Sequence, residues 1–160
     1  MNNSYNVAEI IQMAINVERE GYETYAGIAK QAADEKVKAV FVILAEQEKK
    51  HAETFTNLFK VMSDSRKIEV DYLFDENVVS YFKALTEKKV FEPDRMNHAN
   101  NIVSAMEAIK EGINSEKNSV LLYSDLLKST DIPEVRSSLE LIIAEEKQHI
   151  IDLTNLSKTF

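Results

Sequence analysis

Two near-identical tetrapeptides, Glu48-Lys49-Lys50-His51 and Glu146-Lys147-Gln148-His149, hold two of the three histidines in this 160-residue chain. On a helix, residues three apart share a face, so each tetrapeptide presents a carboxylate and an imidazole side by side. Both groups are ligands for divalent metal ions. Cysteine is absent, so any metal must be held by nitrogen and oxygen.

The neighbours of these residues place them in a core. Glu48 and His51 lie within an apolar stripe between Leu44 and Phe55, and Glu146 and His149 lie between Ile142 and Leu153. Glu18 stands where an apolar residue is expected after Ile11 and Ile15, and Glu116 does the same after Ile109 and Ile113. Four carboxylates facing one core are intolerable without a compensating charge. Protons can supply it, but two divalent cations balance four glutamates directly and leave the histidines neutral. The pattern therefore predicts a two-metal site. Glu48 and Glu146 are expected as bridges and Glu18 and Glu116 as terminal ligands, with one histidine, His51 or His149, on each ion. Tyr25 and Tyr123 lie seven residues after Glu18 and Glu116, on nearly the same face. Each is read either as a hydrogen-bond donor to a ligand glutamate across the bundle or as a core tyrosine with some other partner. His98 has no counterpart and is read as an ordinary histidine near a helix start. Glu9, Glu107 and Glu111 are read as helix-surface charges.

The elements that carry these residues read as helices. Apolar residues recur at helical spacing over Val7 to about Lys30, about Lys36 to Met62, about 98 to 129, and about 133 to 157. Thr130 or Asp131 is expected to cap the last helix, with Pro133 in its first turn. Short links make helices one and two, and three and four, antiparallel hairpins. Residues 63–97 form a crossover with a short helix expected at about Glu76 to Lys88. A shift of 98 residues aligns 7–62 with 105–160 without a gap. It sets Tyr25 on Tyr123, Val37 on Val135 and Thr56-Asn57-Leu58 on Thr154-Asn155-Leu156. An internal duplication within a single domain spanning 1–160 is the economical reading. The fold class is all-α, a four-helix bundle with pseudo-twofold symmetry.

The composition agrees. Three glycines and two prolines give too little punctuation for an all-β fold. A net charge of −8 repels nucleic acid and attracts cations. The opening MNNSYNVAEIIQ has no basic stretch followed by an apolar block, and no run is long enough to span a bilayer, so a cytoplasmic protein without membrane attachment is expected. The run from Ala39 to Ala45 is apolar all round its helix, and Leu139 to Ala144 nearly so. The extra faces meet the crossover and a second subunit, as a homodimer, or are covered within one chain.

At Glu18, Glu116, Glu48-x-x-His51 and Glu146-x-x-His149 the sequence resembles the ferritin-like di-iron carboxylate proteins, and within them the rubrerythrin-like domain. The resemblance implies a ferritin-like bundle of two hairpins joined by a long crossover, holding two iron ions per chain. Zn, Mn or Co are possible substitutes. It also implies oxidoreductase chemistry with hydrogen peroxide or O2, as in a peroxide reductase acting against oxidative stress or in a ferroxidase. Two departures stand out. Full rubrerythrins also carry a rubredoxin-type iron centre held by cysteines, so here an external electron donor is required. Typical rubrerythrins also place a further ligand glutamate where this chain has Ser119. A non-enzymatic iron-binding and iron-handling protein is the alternative, and a structural bundle with an incidental metal is the third reading.

Overall fold

The computed structural model describes residues 6–65 and 104–160. Among them the chain forms four α-helices and no strands: α1 (Val7–Gln31), α2 (Glu35–Asp64), α3 (Ala105–Lys128) and α4 (Pro133–Ser157). α2 runs two residues into the expected crossover. The rest of that segment, with its expected helix at Glu76 to Lys88, lies outside the described residues. So do His98 and the expected start of the third helix.

The helix starts follow local chemistry. Asn6 and Glu9 form a reciprocal capping box on α1, each side chain accepting from the other's backbone N–H at 2.9 Å. Ser104, 98 residues later, accepts from Glu107 N at 3.2 Å to start α3. Glu9 and Glu107 thus occupy the same place in their helices, near no metal cluster. Asp34 caps α2 by accepting from Lys36 and Val37. Its counterpart at the start of α4 is Ile132, which offers no side-chain cap. The expected caps Thr130 and Asp131 do not serve. Thr130 Oγ1 accepts from Ile132 N within the linker instead, and Pro133 at the first position of α4 removes one orphan N–H. The linker is tied from the other side, because Arg136 Nη1 donates to the carbonyls of Leu127 and Thr130.

α1 packs along α2 and α3 along α4, and the hairpins meet through α2 with α4 and α1 with α3. The 98-residue spacing shows in the core. Ile11 and Ile109, Ile28 and Leu126, Val37 and Val135, Phe41 and Leu139, Leu44 and Ile142, and Phe55 and Leu153 are all buried in pairs 98 apart. Where one partner grew, another shrank. Phe41 is larger than Leu139, and it crowds the open side of Gly112, whose own counterpart is Ala14. A Cβ built on Gly112 would stand 3.1 Å from Phe41 Cζ and 2.9 Å from Leu153 Cδ1. A mid-helix glycine costs about 0.5–1 kcal/mol relative to alanine, and here it gives two core side chains their room. Of the apolar run on α2, Phe41, Leu44 and Ala45 face inward, while Val42 and Ile43 are exposed, as is Leu141 on α4. None of the described helices is long and apolar enough to cross a membrane.

Candidate metal centre

Each helix delivers one carboxylate to the middle of the bundle: Glu18 from α1, Glu48 from α2, Glu116 from α3 and Glu146 from α4. All four are at most 1% exposed. His51 and His149, one turn on from Glu48 and Glu146, are buried beside them. Their rings face each other nearly parallel, 13° apart in plane with centroids separated by 5.7 Å. All six candidate residues therefore come together in one layer.

Both histidines turn Nδ1 toward the carboxylates. His51 Nδ1 lies 3.2 Å from Glu18 Oε2 and 3.0 Å from Glu146 Oε1. His149 Nδ1 lies 3.2 Å from Glu146 Oε2, 3.4 Å from Glu116 Oε1 and 3.5 Å from Glu48 Oε1. The six side chains form two overlapping groups: Glu18, Glu48, His51 and Glu146, and Glu48, Glu116, Glu146 and His149. Within each group the ligand atoms lie within 4.8 Å of one another. Glu48 and Glu146 belong to both groups; the other four residues belong to one each.

Tyr25 and Tyr123 hold the remaining carboxylates crosswise. Tyr25 donates its hydroxyl to Glu116 Oε1 at 2.6 Å, and Tyr123 donates to Glu18 Oε1. Each hydrogen bond joins one hairpin to the other. The rings are fixed by aromatic neighbours, Phe41 against Tyr25 at 5.5 Å and Phe55 against Tyr123 at 5.8 Å. Burial and the nearby carboxylates push both phenol pKa values well up, so both remain donors. Removing either hydroxyl while keeping the ring leaves a buried carboxylate oxygen without its donor. Tyr25→Phe and Tyr123→Phe should each destabilise the fold by about 1–3 kcal/mol, read as a lowered urea midpoint at unchanged m-value. Equal stability of either variant and the parent would show that the bond contributes nothing.

The electrostatics show how far this core is from neutrality without cations. Burial, together with the neighbouring carboxylates, raises the pKa of Glu18, Glu48 and Glu116. Burial likewise opposes charge on Glu146. The neighbouring Glu116, His149 and His51 outweigh it and hold Glu146 below the usual carboxylate range. Burial favours the neutral form of both histidines too, but the carboxylates win, lifting His51 to about 11 and His149 to about 10. Left to protons alone, burial pushes Glu18, Glu48 and Glu116 toward their acid forms, while the carboxylates favour the protonated form of both imidazoles.

The donor set fits metal ions. Glu48 Oε1 and Glu146 Oε1 are fully buried with no hydrogen-bond partner, although Glu146 Oε1 lies 3.0 Å from a histidine nitrogen in poor alignment. Orphaned carboxylate oxygens in a dry core are costly, and these two are on the residues shared by both groups. Ser119, one turn after Glu116, is also buried and offers a hydroxyl in place of a further carboxylate.

A bundle of two antiparallel hairpins with a carboxylate from every helix and two histidines between them is a ferritin-like fold with a carboxylate–histidine cluster. Within that class the chain belongs to the rubrerythrin family, whose model matches residues 9–157. Two solved structures share the fold. One is a dodecameric thioferritin, the bacterioferritin-related protein from Bacteroides fragilis. Its TM-score is 0.71 at 18% identity, over 95% of this chain and 84% of that one. The other is a Thermotoga maritima protein described as ferritin-like and diiron-carboxylate, with a TM-score of 0.67 at 24% identity over 99% of this chain and 98% of that one. No curated protein matches the sequence significantly.

Proposed function

We propose that the protein is a non-haem di-iron oxidoreductase that reduces hydrogen peroxide or O2 at this cluster, using an external electron donor. The observation that carries the reading is the pair of overlapping ligand groups that share Glu48 and Glu146 in a buried core. Glu48 and Glu146, shared by both groups, would be held in common by the two ions, Glu18 and Glu116 would each serve one, and His51 and His149 would each complete one group. Two ferrous ions held there would supply two electrons, which with two protons would take hydrogen peroxide to two waters, or O2 to hydrogen peroxide, the external donor then restoring the ferrous state. The protein's own work is orientation and exclusion. Tyr25 and Tyr123 hold the carboxylates of Glu116 and Glu18 in place, and the burial of all four glutamates limits their contact with solvent. A groove of about 300 Å³ between α2 and α4 reaches both histidines and is wide enough for a small oxidant. With Ser119 where a typical rubrerythrin has a glutamate, the ligand set stays symmetric, and O2 competes with peroxide more effectively.

Lack of cysteine favours the second reading, an iron-handling protein, because the chain carries no thiolate redox centre of its own. Anaerobic loading with Fe(II) and metal counting should find two ions per chain. Stopped-flow mixing with H2O2 and O2 separately should then show oxidation by both, and continued consumption of H2O2 when a reductant is supplied. A single round of oxidation without turnover would select iron handling, and no metal uptake would leave a structural bundle. We further propose a cytoplasmic homodimer, with a second copy over the exposed Val42 and Ile43.

A further inference from the structure

His51 and His149 are related by the internal repeat and aim the same nitrogen at the carboxylates, yet their outward nitrogens differ. His51 Nε2 lies 2.7 Å from Glu145 Oε2, a carboxylate about half exposed on α4. The residue 98 positions before Glu145 is Gln47 on α2. Gln47 and Glu145 line the same groove over the two rings, together with Lys50 and Gln148. Among the described residues, the ion pairs of His149 run through Nδ1 alone. The symmetry of the metal ligands is thus broken one bond further out, with a carboxylate behind one ring and an amide at the matching position of the other.

That difference has a chemical consequence. A carboxylate 2.7 Å from Nε2 favours the proton on that nitrogen, which leaves the Nδ1 lone pair free for a cation and raises its basicity. A neutral amide oxygen does this more weakly. We propose that Glu145 is a positioning residue that holds His51 for metal binding and makes the two ion positions inequivalent, the His51-side ion being bound more tightly. The inference rests on the reading that the six core side chains hold two ions. Outer partners of metal-bound histidines are worth roughly 10–100-fold in affinity, so the two constants should differ by about that factor.

Zn(II), which is redox-inert, separates this inference from the reading beneath it. Chelator-treated protein is titrated with Zn(II) against a chromophoric competitor. The parent should take up two ions in two resolved steps. Glu145→Gln should weaken the tighter step about tenfold and narrow the gap, and Gln47→Glu should tighten the weaker step by a similar factor. The double variant should restore the gap. Both positions are at least partly exposed, and unchanged helical circular dichroism confirms that each variant folds. Proton NMR of the Zn(II)-loaded parent should show a downfield, slowly exchanging imidazole N–H that disappears in Glu145→Gln and gains a companion in Gln47→Glu. A merely structural role for Glu145 would not move that signal. Two ions bound with equal constants in the parent, or a Glu145→Gln variant with both constants and the N–H signal intact, overturn the inference alone. Failure of the parent to take up two ions overturns it together with the six-ligand reading.

Discussion

Glu146→Gln should lose both metal ions, and Glu48→Gln likewise, whereas Glu18→Gln should lose one. The asymmetry follows from which groups each carboxylate joins. Glu18 belongs only to the set that includes His51, but Glu48 and Glu146 belong to both sets. On the proposed two-ion reading a shared carboxylate would also lie between two dications, so removing its charge would expose each ion to the other. The loss should therefore exceed the roughly 10–100-fold that an outer partner of a ligand contributes. Glutamine keeps the volume of the buried side chain and leaves no cavity to unfold the bundle. Metal counting after anaerobic equilibration with Fe(II), followed by removal of loosely bound iron, reads the result. A Glu146→Gln protein that retains one ion at parental affinity would show that Glu146 is a terminal ligand.

The six-residue cluster was legible because each member breaks an apolar stripe. Glu18, Glu48, Glu116 and Glu146 are charges where helical periodicity demands hydrocarbon, and the repeat presents each breach twice. Tyr25 and Tyr123 stood out only by recurring seven residues after Glu18 and Glu116, which left a donor or a core tyrosine open; the crosswise pairing with Glu116 and Glu18 needs the two hairpins to be seen together. Glu145 was not legible. It is one of 27 acidic residues, on the solvent side of its helix by periodicity, and only the proximity of α2 brings it to His51 Nε2. The start of α4 misled for a related reason. A threonine and an aspartate before a proline read as a cap, but Thr130 Oγ1 is taken by Ile132 N inside the linker and the capping position falls on Ile132, while Arg136 donates to the linker carbonyls. Tertiary contacts of single polar side chains leave no periodic trace in a sequence.

Metal removal should lower the thermal stability of the protein, and more so as pH rises. The histidine part of the sign is direct. His51 and His149 carry folded-state values of about 11 and about 10 against an ordinary 6.5. Their protons therefore stabilise the metal-free fold fully below pH 6.5, and that contribution disappears as pH climbs through the folded values. Glu18, Glu48 and Glu116 act in the same direction. Burial raises them above the ordinary 4.5, so the folded state retains protons that the unfolded chain gives up above that pH. Glu146, held low, opposes them; its contribution is present above the ordinary value and is lost only in acid. Divalent ions reverse the balance, because they bind the ionised carboxylates and neutral imidazoles that alkaline pH produces. Loading should release several protons, measurable by calorimetry in buffers of different ionisation enthalpy. At a free metal concentration about a thousandfold above each dissociation constant, each ion stabilises by about 4 kcal/mol. At roughly 2–4 °C per kcal/mol for a chain of this size, the two together correspond to a rise in Tm on the order of 15–30 °C. Scanning calorimetry from pH 6 to 9, with Fe(II) under anaerobic conditions or with chelator, should show the two Tm curves diverging as pH increases. Curves that run parallel would mean that the same protons are held with and without metal, and that the carboxylates and imidazoles of this core are not where the ions bind.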